Sequence, residues 1–182
     1  MRRYFLLLLL LLSFALSAKD VVKPEARYEM LIAVPLIGIQ FENAMETQTM
    51  DNIWQIWSEQ RSLLPHDAKG PEYGVFYYGD NFDPEAETGY YYMVGRQFDA
   101  KAPIPEGLVR HTIPGGFYAV FDYTGTLSDK ERTYNYIYGE WIPANKAVPL
   151  MQDSFELYKQ EYRPGADEIQ IEIWIPLQTN GE

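Results

Sequence analysis

Residues 168–177 carry four isoleucines, Ile169, Ile171, Ile173 and Ile175, in alternation with Glu168, Gln170, Glu172 and Trp174. In a strand, a period of two sends these two sets to opposite faces. Glu172 then stands next in line to Trp174, a carboxylate beside an indole. Residues 154–160 alternate in the same way, Phe155 and Leu157 against Glu156 and Tyr158. If the two segments pair as a hairpin across residues 161–167, Glu156, Tyr158, Glu172 and Trp174 share one sheet face and line one concavity, while the isoleucines pack on helices. An ordinary solvent-facing sheet surface would show the same alternation.

The elements that must position these residues occur twice. Residues 28–40 read as extended, 49–64 as a helix, and 73–78 and 89–98 as short aromatic strands. The order then repeats as a strand at 116–123, a helix at 128–141 and strands at 154–160 and 168–177. Equivalent points keep nearly constant offsets, as in Asp51 with Asp129, Phe76 with Leu157 and Met93 with Ile171. A long period present only twice predicts one α+β domain of duplicated β-α-β-β units rather than a solenoid. The repeats run over about 28–98 and 113–178, joined by an extended, proline-containing crossing at 99–112. Within the second helix, Tyr134, Ile137, Tyr138 and Trp141 form a stripe facing the sheet. That helix is expected to close at residues 139–141, before Pro143, leaving Trp141 near a pocket rim.

Other chemistries find little support. The two histidines, His66 and His111, have no metal-ligand spacing and read as solvated loop residues. No Gly-x-Ser-x-Gly elbow or phosphate-cradling glycine loop is present, and the chain has no cysteine. No cofactor and no metal are expected. Arg2 and Arg3, the apolar run 4–12 and the small residues at 15–18 read as a secretory leader, residues 1–18, too short to span a bilayer. Residues 19–182 then form a single exported domain, periplasmic or secreted, with no membrane association after cleavage. Loss of the two arginines takes the formal charge from −11 to −13, a balance that disfavours nucleic acid and permits a cationic partner. Aromatic residues make up 15% of the chain, many beside glycine or in alternating runs, which suits strands and turn edges more than helices.

The order and spacing of several segments resemble the GyrI-like effector-binding domain found in AraC-type and MerR-type multidrug regulators and as stand-alone proteins. They are Ile113-Pro114-Gly115-Gly116-Phe117-Tyr118-Ala119-Val120-Phe121, Tyr138-Gly139-Glu140-Trp141-Ile142-Pro143, Phe155-Glu156-Leu157-Tyr158 and Ile171-Glu172-Ile173-Trp174-Ile175-Pro176. Tyr73-Gly74-Val75 and Tyr92-Met93-Val94-Gly95 resemble the family's first half. The resemblance implies an antiparallel-rich sheet with helices on one side and a ligand cleft between the repeats. In members that bind lipophilic cations, it further implies aromatic rings and a buried glutamate around the ligand. By motif position that glutamate maps to Glu172 first and Glu156 second, with Trp174, Tyr158, Trp141, Tyr92, Tyr118 and Phe76 as candidate ring partners. Some family members imply a hydrolase alternative, with Glu172 as general base and Tyr158 or Tyr92 as proton donor. The gyrase-inhibitor branch implies a protein-interaction module. If the leader is cleaved, intact-mass analysis of protein from its native host will show a chain beginning near Lys19, and a soluble cytoplasmic chain of full mass would refute export.

Overall fold

The computed structural model describes residues 23–44, 49–64, 68, 70–86, 88–99 and 101–179; the leader at 1–18 and His66 lie outside the described residues. The strands are β1 (Ala26–Leu31), β2 (Val34–Glu42), β3 (Glu72–Asp83), β4 (Thr88–Gln97), β5 (Val109–Ile113), β6 (Gly116–Gly125), β7 (Ser154–Tyr158) and β8 (Ile169–Pro176). They form one eight-stranded sheet in the order β1-β6-β8-β7-β3-β4-β2-β5. Each pairing is antiparallel. The order β3-β4-β2 on one side of the central β3–β7 contact mirrors β7-β8-β6 on the other. Helix α1 (Met50–Gln60) follows β2 and helix α2 (Lys130–Tyr136) follows β6.

Chain connectivity forces this sheet to curl. In a flat sheet with strands about 4.8 Å apart, β1 and β2 would lie about 29 Å from each other. Yet Ile32 and Ala33 alone join them, and three peptide steps reach at most about 11 Å. Pro114 and Gly115 make the same crossing between β5 and β6. The two connectors nearly touch, since a Cβ on Gly115 would lie 3.0 Å from the Leu31 carbonyl oxygen and 3.1 Å from the Ala33 nitrogen. Inside the curl, Leu36, Tyr73, Val75, Met93, Ile113, Tyr118, Val120, Phe155 and Trp174 make a core to which, among the described residues, no helix contributes.

Both helices cover the opposite face. Ile53, Trp54 and Trp57 of α1 and the residues Ile137 and Trp141 after α2 pack into one cluster with Ile37, Val94, Phe121, Ile171, Ile173 and Ile175. The isoleucine stripe therefore meets helices, as its alternation predicts. Helix α1 starts at Thr49, whose hydroxyl accepts from the Asn52 backbone N–H at 3.2 Å. The second helix does not stop before Pro143. It widens into a π-helical turn, Ile137–Trp141, and continues as α3, Ile142–Asn145. Ile142 N–H reaches back to the Ile137 carbonyl, five residues away. The wide turn accommodates a residue that has no N–H to donate and whose ring would crowd a regular turn. The helix ends at Lys146 in a left-handed conformation, φ 51°.

Glu72, at the start of β3, ties α1 to the sheet and to the β7–β8 connection. It is fully buried and accepts from Trp57 Nε1 (2.8 Å), Arg61 Nη1 (3.1 Å), Arg96 Nη2 (3.1 Å) and the Tyr162 backbone N–H (2.8 Å). Both arginines also meet Glu161 at 2.8 Å. Removing Glu72 leaves the Trp57 indole and Tyr162 backbone N–H groups without their acceptor and two partly buried guanidiniums sharing Glu161 alone. Glu72→Ala should accordingly cost about 3–5 kcal/mol in urea denaturation, and a loss below about 1 kcal/mol would show the network to be dispensable.

Candidate functional site

The β3–β7 ladder sets the floor of the site. Its register places Gly74 opposite Glu156, Phe76 opposite Ser154 and Glu72 opposite Tyr158. Glu156 points to the helix side, and there, at the junction of the two strand triplets, lies a cavity of about 490 Å³. Its lining includes Met50 from α1, Phe76 and Tyr78 from β3, Tyr92 from β4, Lys130, Tyr134 and Tyr138 from the second helix, and Glu156.

Glu156 is 4% exposed and is held by three donors. Tyr134 Oη donates to Oε1 at 2.8 Å and Tyr158 Oη to Oε2 at 2.9 Å. Lys130 Nζ stands 2.6 Å from Oε1. A carboxylate in so dry a place needs this set of partners, because an unpaired buried charge is strongly disfavoured. Burial, reinforced by the Glu156 charge, pushes the hydroxyls of Tyr92, Tyr134 and Tyr158 well above the ordinary phenol value. All three stay neutral at physiological pH, and Tyr134 and Tyr158 donate to Glu156.

Gly74 leaves room for Tyr92. A Cβ there would fall 2.2 Å from the Tyr92 hydroxyl and 3.3 Å from the Trp54 ring. In a strand interior, a glycine of this kind marks a close approach. The Tyr92 hydroxyl feels Glu156, Trp54 and Tyr158, yet it meets none of them in good hydrogen-bond geometry; Trp54 Nε1 is likewise unpartnered. A buried polar atom in a cavity wall without a partner is an available contact for a ligand or water.

The structure divides the candidates taken from the sequence. Glu156, Tyr92 and Phe76 line the cavity, and Tyr158 lies beneath it as a donor to Glu156. Glu172 and Trp174 do not join them. The β7–β8 register sets Glu156 opposite Ile173 and Glu172 opposite Leu157, so the two glutamates occupy opposite faces. Glu172 is ion-paired with Arg27 (2.8 Å) and Lys159 (3.4 Å) and accepts from Trp174 Nε1 at 3.0 Å. Trp174 fills the core inside the curl, stacked on Phe155 at 5.1 Å, and Tyr118 lies against it edge-on. Trp141 packs edge-on to Phe121 at 4.9 Å, away from the cavity wall. A Glu172 base working with Tyr158 or Tyr92 is excluded by the same division, because the sheet separates them. His111 is not a solvated loop residue; it lies in β5, 2.5 Å from Asp153 and stacked on Tyr77 at 3.9 Å.

Lys130 is a cavity residue that sequence reasoning missed. At the first position of α2 it looks like a surface lysine, but it is 7% exposed. Of the helical stripe, Ile137 and Trp141 are core, whereas Tyr134 and Tyr138 belong to the cavity. Among the described residues, no group of three or more His, Cys, Asp or Glu side chains is placed to hold a metal.

Residues 24–178 match the family described as the GyrI-like small molecule binding domain. The transcriptional regulator BrlR of Pseudomonas aeruginosa strain PAO1 is 26% identical over 148 residues, 80% of this chain and 52% of the regulator. The chain thus spans about half the length of that relative. Two solved structures share the fold at a TM-score of 0.62. SAV2435 bound to tetraphenylphosphonium is 20% identical and covers 85% of this chain and 94% of its own. An integron cassette protein from Vibrio cholerae is 15% identical and covers 84% and 95%.

The tyrosines give the site and the core an alkaline limit. Burial raises Tyr77, Tyr118 and Tyr123 to about 12, whereas phenols of the unfolded chain ionise near 10. Between these values the unfolded chain binds fewer protons than the folded one, so stability falls as pH rises. The urea midpoint should hold steady to about pH 9.5 and drop through about pH 11; an unchanged midpoint at about pH 11 would contradict the burial of these hydroxyls.

Proposed function

We propose that this chain, which belongs to the GyrI-like small-molecule-binding domain family, is an exported binding protein for amphipathic aromatic cations. The observation that carries this reading is the buried Glu156 carboxylate in the floor of a cavity with five aromatic walls, Phe76, Tyr78, Tyr92, Tyr134 and Tyr138. A cavity of about 490 Å³ falls within the ordinary range for drug-sized ligands, about 300–1,000 Å³. A cation over such rings gains about 0.5–2 kcal/mol per good contact, and a carboxylate in a dry site adds attraction that water would screen. The tetraphenylphosphonium in a neighbour of the same fold supports the choice of ligand class. Export rests on Arg2, Arg3 and the apolar run that follows them. Outside the cytoplasm, such a protein would sequester its ligand rather than direct transcription.

Isothermal titration with tetraphenylphosphonium and the neutral triphenylphosphine oxide tests the reading. Glu156→Gln keeps the shape and removes the charge. It should weaken the cation by about tenfold to a hundredfold, as expected for a charge-assisted contact of about 1.5–3 kcal/mol, and change the neutral compound much less. Glu172→Gln, on the other sheet face, should leave both unchanged. If folded wild-type protein binds neither compound, or if Glu156→Gln binds the cation as wild type does, this function is wrong.

A further inference from the structure

We infer that Lys130 is a resident counter-cation, and that a ligand cation binds by exchanging with it at Glu156. The inference rests on the function proposed above and concerns how that site selects its ligand. Lys130 Nζ and Tyr134 Oη converge on one oxygen of Glu156, at 2.6 and 2.8 Å, while Tyr158 takes the other. The carboxylate is therefore already neutralised before any ligand arrives.

Lys130 lies on the cavity wall, not behind it, so an incoming cation would sit beside its ammonium. Coulomb's law at an effective dielectric of about 20 puts the repulsion between two unit charges about 6 Å apart at roughly a hundredfold in affinity. Both cannot remain at Glu156 without that penalty. The lysine has somewhere to go. It is anchored at the first position of α2, and Glu131 and Ser128, also on the cavity wall, flank its neighbourhood. Glu131 is exposed, so the displaced ammonium has water close by.

Selectivity follows from the exchange. A small hydrated cation would replace one ammonium with a poorer partner and gain no ring contact. A bulky aromatic cation gains the five walls and releases Lys130 to water. Affinity should then depend on apolar contact first, with charge deciding only among ligands that already fill the cavity.

The test is Lys130→Met, which keeps chain length and apolar contact while removing the charge. Titration should show tetraphenylphosphonium binding tightened roughly tenfold or more, with triphenylphosphine oxide nearly unchanged. The gain should vanish in Lys130→Met/Glu156→Gln, because no unpaired carboxylate remains to be exploited. A wild-type measurement runs in parallel and covers the case of a variant that fails to fold. Under brief treatment with an amine-reactive reagent, Lys130 should be protected in free protein and labelled faster at saturating tetraphenylphosphonium, as read by peptide mass spectrometry. Unaltered cation affinity in a folded Lys130→Met, or equal protection of Lys130 with and without bound cation, overturns the exchange. If tetraphenylphosphonium binds neither wild type nor Lys130→Met, the proposed function falls and takes the exchange with it; if Glu156→Gln loses the cation while Lys130 stays protected, the exchange alone falls.

Discussion

The ladder between β3 and β7 is the constraint on which the site depends. Five residue pairs, from Glu72–Tyr158 to Phe76–Ser154, join the two strand triplets at the middle of the sheet. Because side chains alternate, slipping one strand by a single residue would turn Glu156 into the curl and bring Leu157 under the helices. Its three donors would then have nothing to hold. The same ladder puts Gly74 across from Glu156, and that missing side chain lets Tyr92 lean into the space above the carboxylate. Register, a backbone property, thus fixes which charge the cavity contains.

The helix-facing side buries two carboxylates close together in the sheet, and their surroundings separate structure from recognition. Glu72 is saturated by two arginines, an indole N–H and a backbone N–H and is not part of the cavity's lining. Guanidinium forks give fixed geometry and are weakly hydrated, which suits a permanent buried joint. Glu156 is held by two phenols and one lysine and lies open to a cavity. An ammonium on a flexible four-carbon stem is the easier partner to replace. The difference between arginine and lysine therefore marks Glu72 as fixed and Glu156 as exchangeable.

Much of this architecture was legible in the chain. The isoleucine alternation gave the helix-covered face, and the order of the quoted segments gave the family and the α+β sheet. The choice of glutamate was not legible, for a definite reason. Local alternation assigns residues to two faces but does not say which face of one strand continues which face of the next. That phase is set by the β7–β8 pairing, after a ten-residue connection whose conformation hides it. Polarity misled as well. Alternation left Glu156 open to a solvent-facing reading as well as a concave one, but β7 is a central strand covered on both sides, and two of the carboxylate's three donors come from α2, more than twenty residues earlier. Pro143 misled in the same manner, because a proline rule written for regular helices does not anticipate a π-helical turn that absorbs the ring.

A pocket of this kind faces two opposed demands. Without ligand, an unpaired carboxylate under aromatic rings would be costly to keep ionised and would tend either to take up a proton or to draw water into the cavity. With ligand, the same carboxylate is useful only if its charge is available. The Lys130 pair meets the first demand. It also limits the second, since a buried ion pair contributes little net stability while its disruption leaves a charge exposed to loss. A phenol pair alone would leave Glu156 charged but stabilised by dipoles, and an arginine would fix it permanently. Two tyrosines and one lysine form an intermediate arrangement: Tyr134 and Tyr158 stay as donors whatever occupies the cavity, and the ammonium, on its flexible stem, is the component that can be exchanged.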